Sequence, residues 1–114
     1  ARYSMGFTDS FKAWIKDAGK RNDNWTVWSI GVTRLDAHSR NHQEDLSINL
    51  YDNDDIVISY IRYEINAGTI NPPITSYGEV IKAGELTEPR LMDLPCWRWL
   101  FETYYEYQRS IEHG

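Results

Sequence analysis

Apolar residues near the start of the chain recur with the spacing of an amphipathic helix. They fall at positions i, i+4, i+7, i+8 and i+11, which is one stripe of a 3.6-residue period. The stripe consists of Phe7, Phe11, Trp14, Ile15 and Ala18. Thr8 or Ser10 can cap the start of this helix, and Gly19 suits its end. The pattern predicts an N-terminal helix that buries one side.

After a short polar turn the period changes from 3.6 to two, as in β-strands. Residues 25–35 and 46–51 alternate between apolar and polar side chains, and residues 56–65 are apolar on both faces. The last pattern is typical of a central strand. The Asp- and Asn-rich residues 52–55 predict a turn. Residues 36–43 are polar and predict a loop.

The remainder of the chain predicts a second helix after an irregular segment. Residues 66–90 are interrupted by glycine and proline, and only a short strand at residues 77–82 is expected there. Asp93 can cap the helix that follows, and Pro95 is tolerated in its first turn. Its apolar stripe consists of Trp97, Leu100, Phe101, Tyr104 and Ile111.

This order of elements predicts one α+β domain that covers residues 1–114. Both helices are expected to pack on one face of an antiparallel meander of three or four strands, which leaves the other face partly wet. Trp99, Tyr105 and Tyr107 lie off the stripe of the second helix. We expect these aromatic residues to cover the sheet or to meet a partner, and a homodimer through them is one alternative.

Composition adds a compartment to this picture. The single cysteine, Cys96, rules out a disulfide within the chain and fits a reducing environment. No apolar run approaches the ~20 residues of a membrane helix, and no secretory signal pattern is present. The expected location is therefore the cytoplasm.

Charge is distributed very unevenly along the chain. The formal net charge of −5 lies entirely within residues 41–61, which contain no Lys or Arg, while the other twelve acids are balanced by twelve bases. The acids in this stretch are Glu44, Asp45, Asp52, Asp54 and Asp55. We expect them to ring a hairpin tip and to attract a basic partner, with Tyr51 as an anchor between them.

Motifs for metal binding are weak. His38 and His42 are four residues apart, but they lie in the expected loop with no third soft ligand nearby. Counting Asp52 as the first position of a calcium loop puts Val57 and Tyr63 where glycine and glutamate are required. Neither a metal nor another cofactor is therefore expected.

Motifs for catalysis and for nucleic-acid binding are absent as well. The sequence has no Gly-x-Ser-x-Gly elbow and no Gly-x-Gly-x-x-Gly loop. A pI of 5.1 and the lack of a basic stripe disfavour nucleic acid as a partner. The sequence favours a binding protein over an enzyme.

Several short segments in residues 14–50 resemble the small immunity proteins that neutralise bacterial polymorphic toxins. They are Trp14-Ile15, Asp23-Asn24-Trp25, the strand from Ile30 to Asp36, and Ile48-Asn49-Leu50. The resemblance implies a stoichiometric inhibitor with no catalytic residues.

The leading hypothesis is therefore an immunity-type inhibitor of a basic toxin or nuclease. A phage-type inhibitor of a host defence protein has the same size and acidity and remains an alternative. A second alternative is a small ligand-binding or enzyme domain that uses residues 66–90 as a lid, with Tyr77, Glu79 and Arg90 as its polar groups.

Overall fold

The computed structural model describes residues 6–36, 39–66 and 69–113. The helices and strands along this part of the chain are α1 (Phe7–Ala18), β1 (Lys20–Asn22), β2 (Val27–Asp36), β3 (Ser39–Tyr51), β4 (Ile56–Asn66), β5 (Thr69–Ile81), α2 (Glu88–Met92) and α3 (Trp97–His113). The predicted α+β order of helix, antiparallel strands and helix is confirmed. None of the described helices is both long enough and apolar enough to cross a membrane.

The strands form one antiparallel meander in the order β1-β2-β3-β4-β5. In its centre, Ile48 of β3 lies opposite Ile30 of β2 and opposite Ile58 of β4. Because side chains alternate along each strand, this register places the apolar rows on one face. We call the face that packs against α1 and α3 the inner face, and the opposite one the outer face.

The core lies between the inner face and the two helices. Ile48 and Ile58 are fully buried on the sheet side. On the helix side, the ring of Tyr104 lies 5.4 Å from the rings of both Phe11 and Trp14, measured between centroids. Burying such a side chain contributes about 1.5–3 kcal/mol. Apolar burial therefore holds the two layers together.

The end of α1 is fixed by a glycine, as predicted. The Gly19 N–H donates to Ile15 O at 2.9 Å. A Cβ at residue 19 would lie 2.4 Å from Ile15 O and 2.7 Å from Ser29 O, so only glycine allows the helix end to approach β2 this closely. The predicted cap at Thr8 or Ser10 is wrong, because α1 begins at Phe7 with Gly6 as its N-cap.

The second predicted cap is wrong too, because Asp93 ends the short helix α2 and α3 begins only at Trp97. Thr87 caps α2 instead, accepting a hydrogen bond from the Arg90 N–H at 3.2 Å. The polar Thr8 side chain has a different role, since its hydroxyl donates to Leu86 O at 2.7 Å. That bond ties α1 to the segment between β5 and α2.

The sheet is larger than the sequence predicts, with five strands rather than three or four. In the expected loop at residues 36–43, residue 36 ends β2 and residues 39–43 begin β3, and most of the irregular segment is β5. The core ends at the row of Val32, Leu46, Tyr60 and Tyr77, and the next row is polar. The first part of β3, beyond that row, carries no apolar alternation, and β5 is interrupted there by Pro72 and Pro73, which is why the sequence pattern does not reveal them.

Candidate functional site

The three aspartates of the predicted turn lie together between β3 and β4, and each of them contacts a base from a distant segment. Arg21 makes a bidentate contact with Asp52, with Nη1 to Oδ1 at 2.7 Å and Nη2 to Oδ2 at 3.0 Å. Lys12 Nζ lies 3.1 Å from Asp54 Oδ2. The guanidinium of Arg21 lowers the pKa of Asp52, which therefore stays ionised at neutral pH.

The third aspartate, Asp55, is part of the turn itself. It accepts hydrogen bonds from the Ala83 backbone N–H at 2.9 Å and from Lys82 Nζ at 3.2 Å, and both lower its pKa. Its own N–H donates to Asn53 Oδ1 at 3.0 Å, and Asp54 adopts a positive φ of 69°. The turn chemistry predicted from Asp and Asn is confirmed.

The expectation of an unopposed acidic ring at this tip is wrong. Bases from α1, β1 and the segment after β5 neutralise much of the turn's charge. Glu44 and Asp45, which we placed at the tip, lie in the other half of β3 on opposite faces of the sheet. The role of these acids as partner contacts stays a prediction.

Glu44 is a charged residue that is buried in the core, with 6 % of its surface exposed. Its Oε2 accepts from Arg34 Nε at 2.8 Å, and its Oε1 accepts from Arg62 Nη1 at 3.1 Å. The Tyr60 hydroxyl also donates to Oε1, at 2.9 Å. Nη1 of Arg34 also donates a hydrogen bond to Oε2 of Glu102 in α3, at 2.9 Å. We call these five residues the Glu44 cluster.

The Glu44 cluster joins the sheet to α3. Arg34 lies over the ring of Trp99 at 4.7 Å, and Trp99 also contacts the ring of Tyr60. Burial, together with the bond to Glu44, raises the pKa of Tyr60, so its hydroxyl stays protonated and donates. Two guanidinium groups and a hydroxyl satisfy both oxygens of the buried carboxylate, as a buried charge requires.

A small cavity of about 90 Å³ lies beside the Glu44 cluster and reaches Cys96. It has room for about three water-sized groups. Cys96 Sγ lies 2.6 Å from the Tyr77 hydroxyl, and burial raises the pKa of the Cys96 thiol. A protonated, buried thiol is a poor nucleophile, so this cavity is better suited to packing than to covalent chemistry.

Asp45 faces the outer side, where it accepts hydrogen bonds from Thr33 Oγ1 at 2.9 Å and from Gln43 Nε2 at 3.2 Å. Small and polar side chains dominate the middle of this outer face. One row across four strands consists of Gly31, Ser47, Ser59 and Gly78. No described helix covers this face.

An aromatic hollow lies at the end of the outer face. It is next to the turn of residues 52–55, which we call the acidic turn. It has a volume of about 270 Å³. Its lining consists of Asn22, Trp25, Val27, Ser29, Asn49 and Tyr51, which we call the Trp25 surface. Trp25 is 70 % exposed, the highest value among the large apolar side chains of the described residues. Asp52 N donates to Thr26 O at 3.1 Å, so the β1–β2 and β3–β4 turns are in contact.

Of the predicted partner-binding residues, the structure therefore brings Tyr51 and Asp52 to the same corner of the molecule. The contribution of Trp25 is missed from the sequence, because alternation assigns it to a strand. It lies instead in the turn between β1 and β2, where Asn22 Oδ1 accepts from its N–H at 3.3 Å. The signal was the run Asp23-Asn24 directly before it, which is typical of a turn.

The polar groups expected in a lid have structural partners instead. Glu79 and Arg90 form an ion pair, and Tyr77 contacts Cys96. Residues 69–81 are the edge strand β5. The use of residues 66–90 as a lid stays a prediction.

The three aromatic residues expected at a dimer surface differ in their exposure and in their contacts. Trp99 is buried, with 4 % exposed, and cannot contribute to a surface contact. Tyr107 donates to Asp17 of α1, and this bond raises the pKa of Tyr107 to about 12. Tyr105 is 41 % exposed and stacks on Phe101.

The histidines offer no metal centre in the part of the chain that the structure describes. No group of three or more His, Cys, Asp or Glu side chains there has the arrangement to hold a metal ion. His42 lies in β3 opposite Glu64, and its Nδ1 is buried without a hydrogen-bond partner. His38 lies outside the described residues.

Comparison of the chain with protein-family models, with curated proteins and with solved structures finds no match. The resemblance of residues 14–50 to immunity proteins therefore stays a prediction.

Proposed function

We propose that this protein is a non-enzymatic binding protein, an immunity-type inhibitor that blocks a basic toxin or nuclease in the cytoplasm. The observation that supports this best is the Trp25 surface. There a 70 % exposed tryptophan stands beside a hollow that includes Tyr51, and the acidic turn adjoins it.

The Trp25 surface has the composition of a binding hot spot. Trp and Tyr are enriched among the few residues that dominate interface energies, because they bury much area at low entropic cost. Ser29 Oγ donates to Asn49 Oδ1 at 2.6 Å, so the polar lining beside the rings is held in place. A preformed hollow of this kind loses little freedom on binding.

Carboxylates at the rim favour a basic partner. The side chains of Asp23 and Asp52 are 88 % and 53 % exposed, and between them they hold a single guanidinium, that of Arg21. Exposed carboxylates steer a basic partner and increase the association rate more than they increase affinity.

The state of the titratable groups supports binding over catalysis. Arg21 lowers the pKa of Asp52, and the Ala83 N–H lowers the pKa of Asp55, so neither carboxyl is tuned to donate a proton near neutral pH. Burial raises the pKa of Cys96, which disfavours a thiolate nucleophile.

The test is an affinity pull-down from the native host lysate at low and at moderate salt. We expect the wild type to retain one basic protein, and Trp25→Ala to lose it. Ile111→Ala is the matched control, because Ile111 is also exposed, at 55 %, and lies on α3 away from the Trp25 surface. The identity of the retained protein separates an immunity protein from a phage-type inhibitor.

Two results would contradict the proposal. In the first, no protein is retained at either salt concentration. In the second, the retained protein binds Trp25→Ala as well as it binds the wild type. Circular dichroism of each variant shows whether the fold is intact before binding is compared.

A further inference from the structure

One edge of the sheet is open along most of β2. The short strand β1 pairs only with Val27, Trp28 and Ser29. Among the described residues, no strand therefore pairs with residues 30–36 on that side. Alternate backbone N–H and C=O groups on this edge lack ladder partners, and such an edge accepts a further strand.

The two edges of the sheet differ in how well they are protected. The opposite edge strand, β5, contains Pro72 and Pro73, which have no N–H to donate. The open stretch of β2 contains no proline and no lysine. Its one basic side chain, Arg34, faces inward and is held by Glu44 and Glu102. Two of the devices that prevent edge pairing, proline and lysine, are therefore missing from the open stretch of β2.

We infer that this edge of β2 pairs antiparallel with the same edge of a second copy, about a two-fold axis at Thr33. Residue 33 is the midpoint of the open stretch 30–36. Pairing of residues 31–35 about this axis leaves β1 in place, because β1 pairs only as far as Ser29 and Gly19 lies close to Ser29 O. A shift by one residue would turn every side chain to the wrong face.

The side chains of β2 are self-complementary in this register. Gly31 and Leu35 lie on the outer face, two residues before and two residues after Thr33, so each Leu35 lies opposite Gly31 of the second copy. Leu35 is 60 % exposed in the single chain. The space above Gly31 on the outer face is open, because no other atom lies within 4 Å of the place where a Cβ would be. The Leu35 side chain of the second copy can occupy this space.

Two further pairs are compatible with this register. Thr33 opposes Thr33 of the second copy, and such threonine pairs stabilise antiparallel ladders. On the inner face, Val32 opposes Arg34 of the second copy, so no like charges face each other. A second copy is therefore the occupant that this edge fits.

Cross-linking tests the register directly. Oxidation of Thr33→Cys should give a disulfide-linked dimer, because the two cysteines face each other across the axis. Val80→Cys is the matched control, since Val80 is exposed on the same face of the other edge strand. Native Cys96 is 5 % exposed and does not compete. A cross-link in Val80→Cys but none in Thr33→Cys would overturn the inference.

Sedimentation equilibrium tests the association itself. The wild type should form dimers as its concentration is raised toward about 1 mM, and Leu35→Asp should weaken the dimer at least about tenfold. Adding Gly31→Lys to Leu35→Asp should restore it, because in this register the introduced ammonium group faces the introduced carboxylate of the second copy. Val80→Asp should leave the dimer unchanged.

A wild type that stays monomeric over that whole range would overturn the inference. A dimer that is indifferent to Leu35→Asp, or that the second substitution fails to restore, would do the same. None of these measurements involves the partner proposed above, so the two proposals stand or fall separately.

Discussion

Strand β3 connects two carboxylate groups that have the same kind of counterion and very different surroundings. At one end, Asp52 contacts Arg21 and its side chain is 53 % exposed. In the other half of the strand, Glu44 contacts Arg34 and its side chain is 8 % exposed. Both contacts are short, at 2.7 Å and 2.8 Å. Distance alone therefore does not distinguish the two pairs.

The two pairs differ in whether water can take the place of a partner that is lost. When Arg21 is lost, water solvates Asp52, so an exposed pair contributes little to stability. When Glu44 is lost, two guanidinium groups and the Tyr60 hydroxyl lose a common partner that water cannot easily replace. We therefore assign the Glu44 cluster to folding, and a role of the acidic turn in recognition stays a prediction.

The largest effect is expected at the buried group. Glu44→Ala should lower the free energy of unfolding by about 2–3 kcal/mol, because Arg34, Arg62 and the Tyr60 hydroxyl lose their common carboxylate. Urea denaturation measures this change. Glu102→Ala is the control: it contacts the same Arg34 but is 60 % exposed, and it should cost no more than about 1 kcal/mol. Equal losses in the two variants would contradict the comparison.

The next effect concerns association rather than folding. Replacing Asp52 and Asp54 by lysine should slow association with a basic partner about tenfold and flatten its salt dependence. Stopped-flow mixing at several salt concentrations measures both. Replacing Glu106 and Glu112 of α3 by lysine gives the same change in net charge far from the turn. An equal slowing in that control would assign the effect to net charge alone.

A smaller effect is expected from one hydroxyl of the Glu44 cluster. Tyr60→Phe keeps the ring contact with Trp99 and removes the bond to Glu44 Oε1, which should cost about 1 kcal/mol. Thermal unfolding under matched conditions measures the loss. Tyr60→Phe in the Glu44→Ala background should have almost no further effect, and a full additive loss would show that the two side chains act independently.

The smallest effect is in the response to acid. Arg21 lowers the pKa of Asp52 below its ordinary value of 3.8, so this pair stabilises the fold above that pH. The contribution is lost as the pH falls from there through the lower pKa of the folded state. Asp52→Asn should therefore show a slightly shallower loss of stability below pH 3.8 than the wild type does. A steeper loss in the variant would contradict this sign.

Much of the fold can be predicted from the sequence, because apolar residues buried on one face of a helix or strand recur with the period of that element. The 3.6-residue stripe predicts α1, alternation predicts the part of β3 that lies under the helices, and apolar residues on both faces predict almost all of β4. The same logic explains the errors. The first part of β3 and most of β5 lie beyond the last apolar row, and the two prolines of β5 are tolerated only because it is an edge strand.

The candidate site was harder to predict, because it depends on partners far apart in the chain. The charge count found the acidic turn, but Arg21 and Asp52 are 31 residues apart, and Lys82 and Asp55 are 27 apart. A linear count cannot show that these charges meet. Glu44 looks like any other acid in sequence, and only the register of three strands makes it buried.

The meander order of the sheet also has a consequence for how the chain folds. Since every strand pairs with its neighbour in sequence, the sheet can grow one hairpin at a time, and each step closes only a short loop. The contact of Trp14 with Tyr104 is different, because it joins segments 90 residues apart. Docking of α3 onto α1 is thus the step that closes the longest loop in this fold. Until it occurs, apolar side chains on the inner face of the sheet stay exposed, and such surfaces are prone to aggregation and are bound by chaperones.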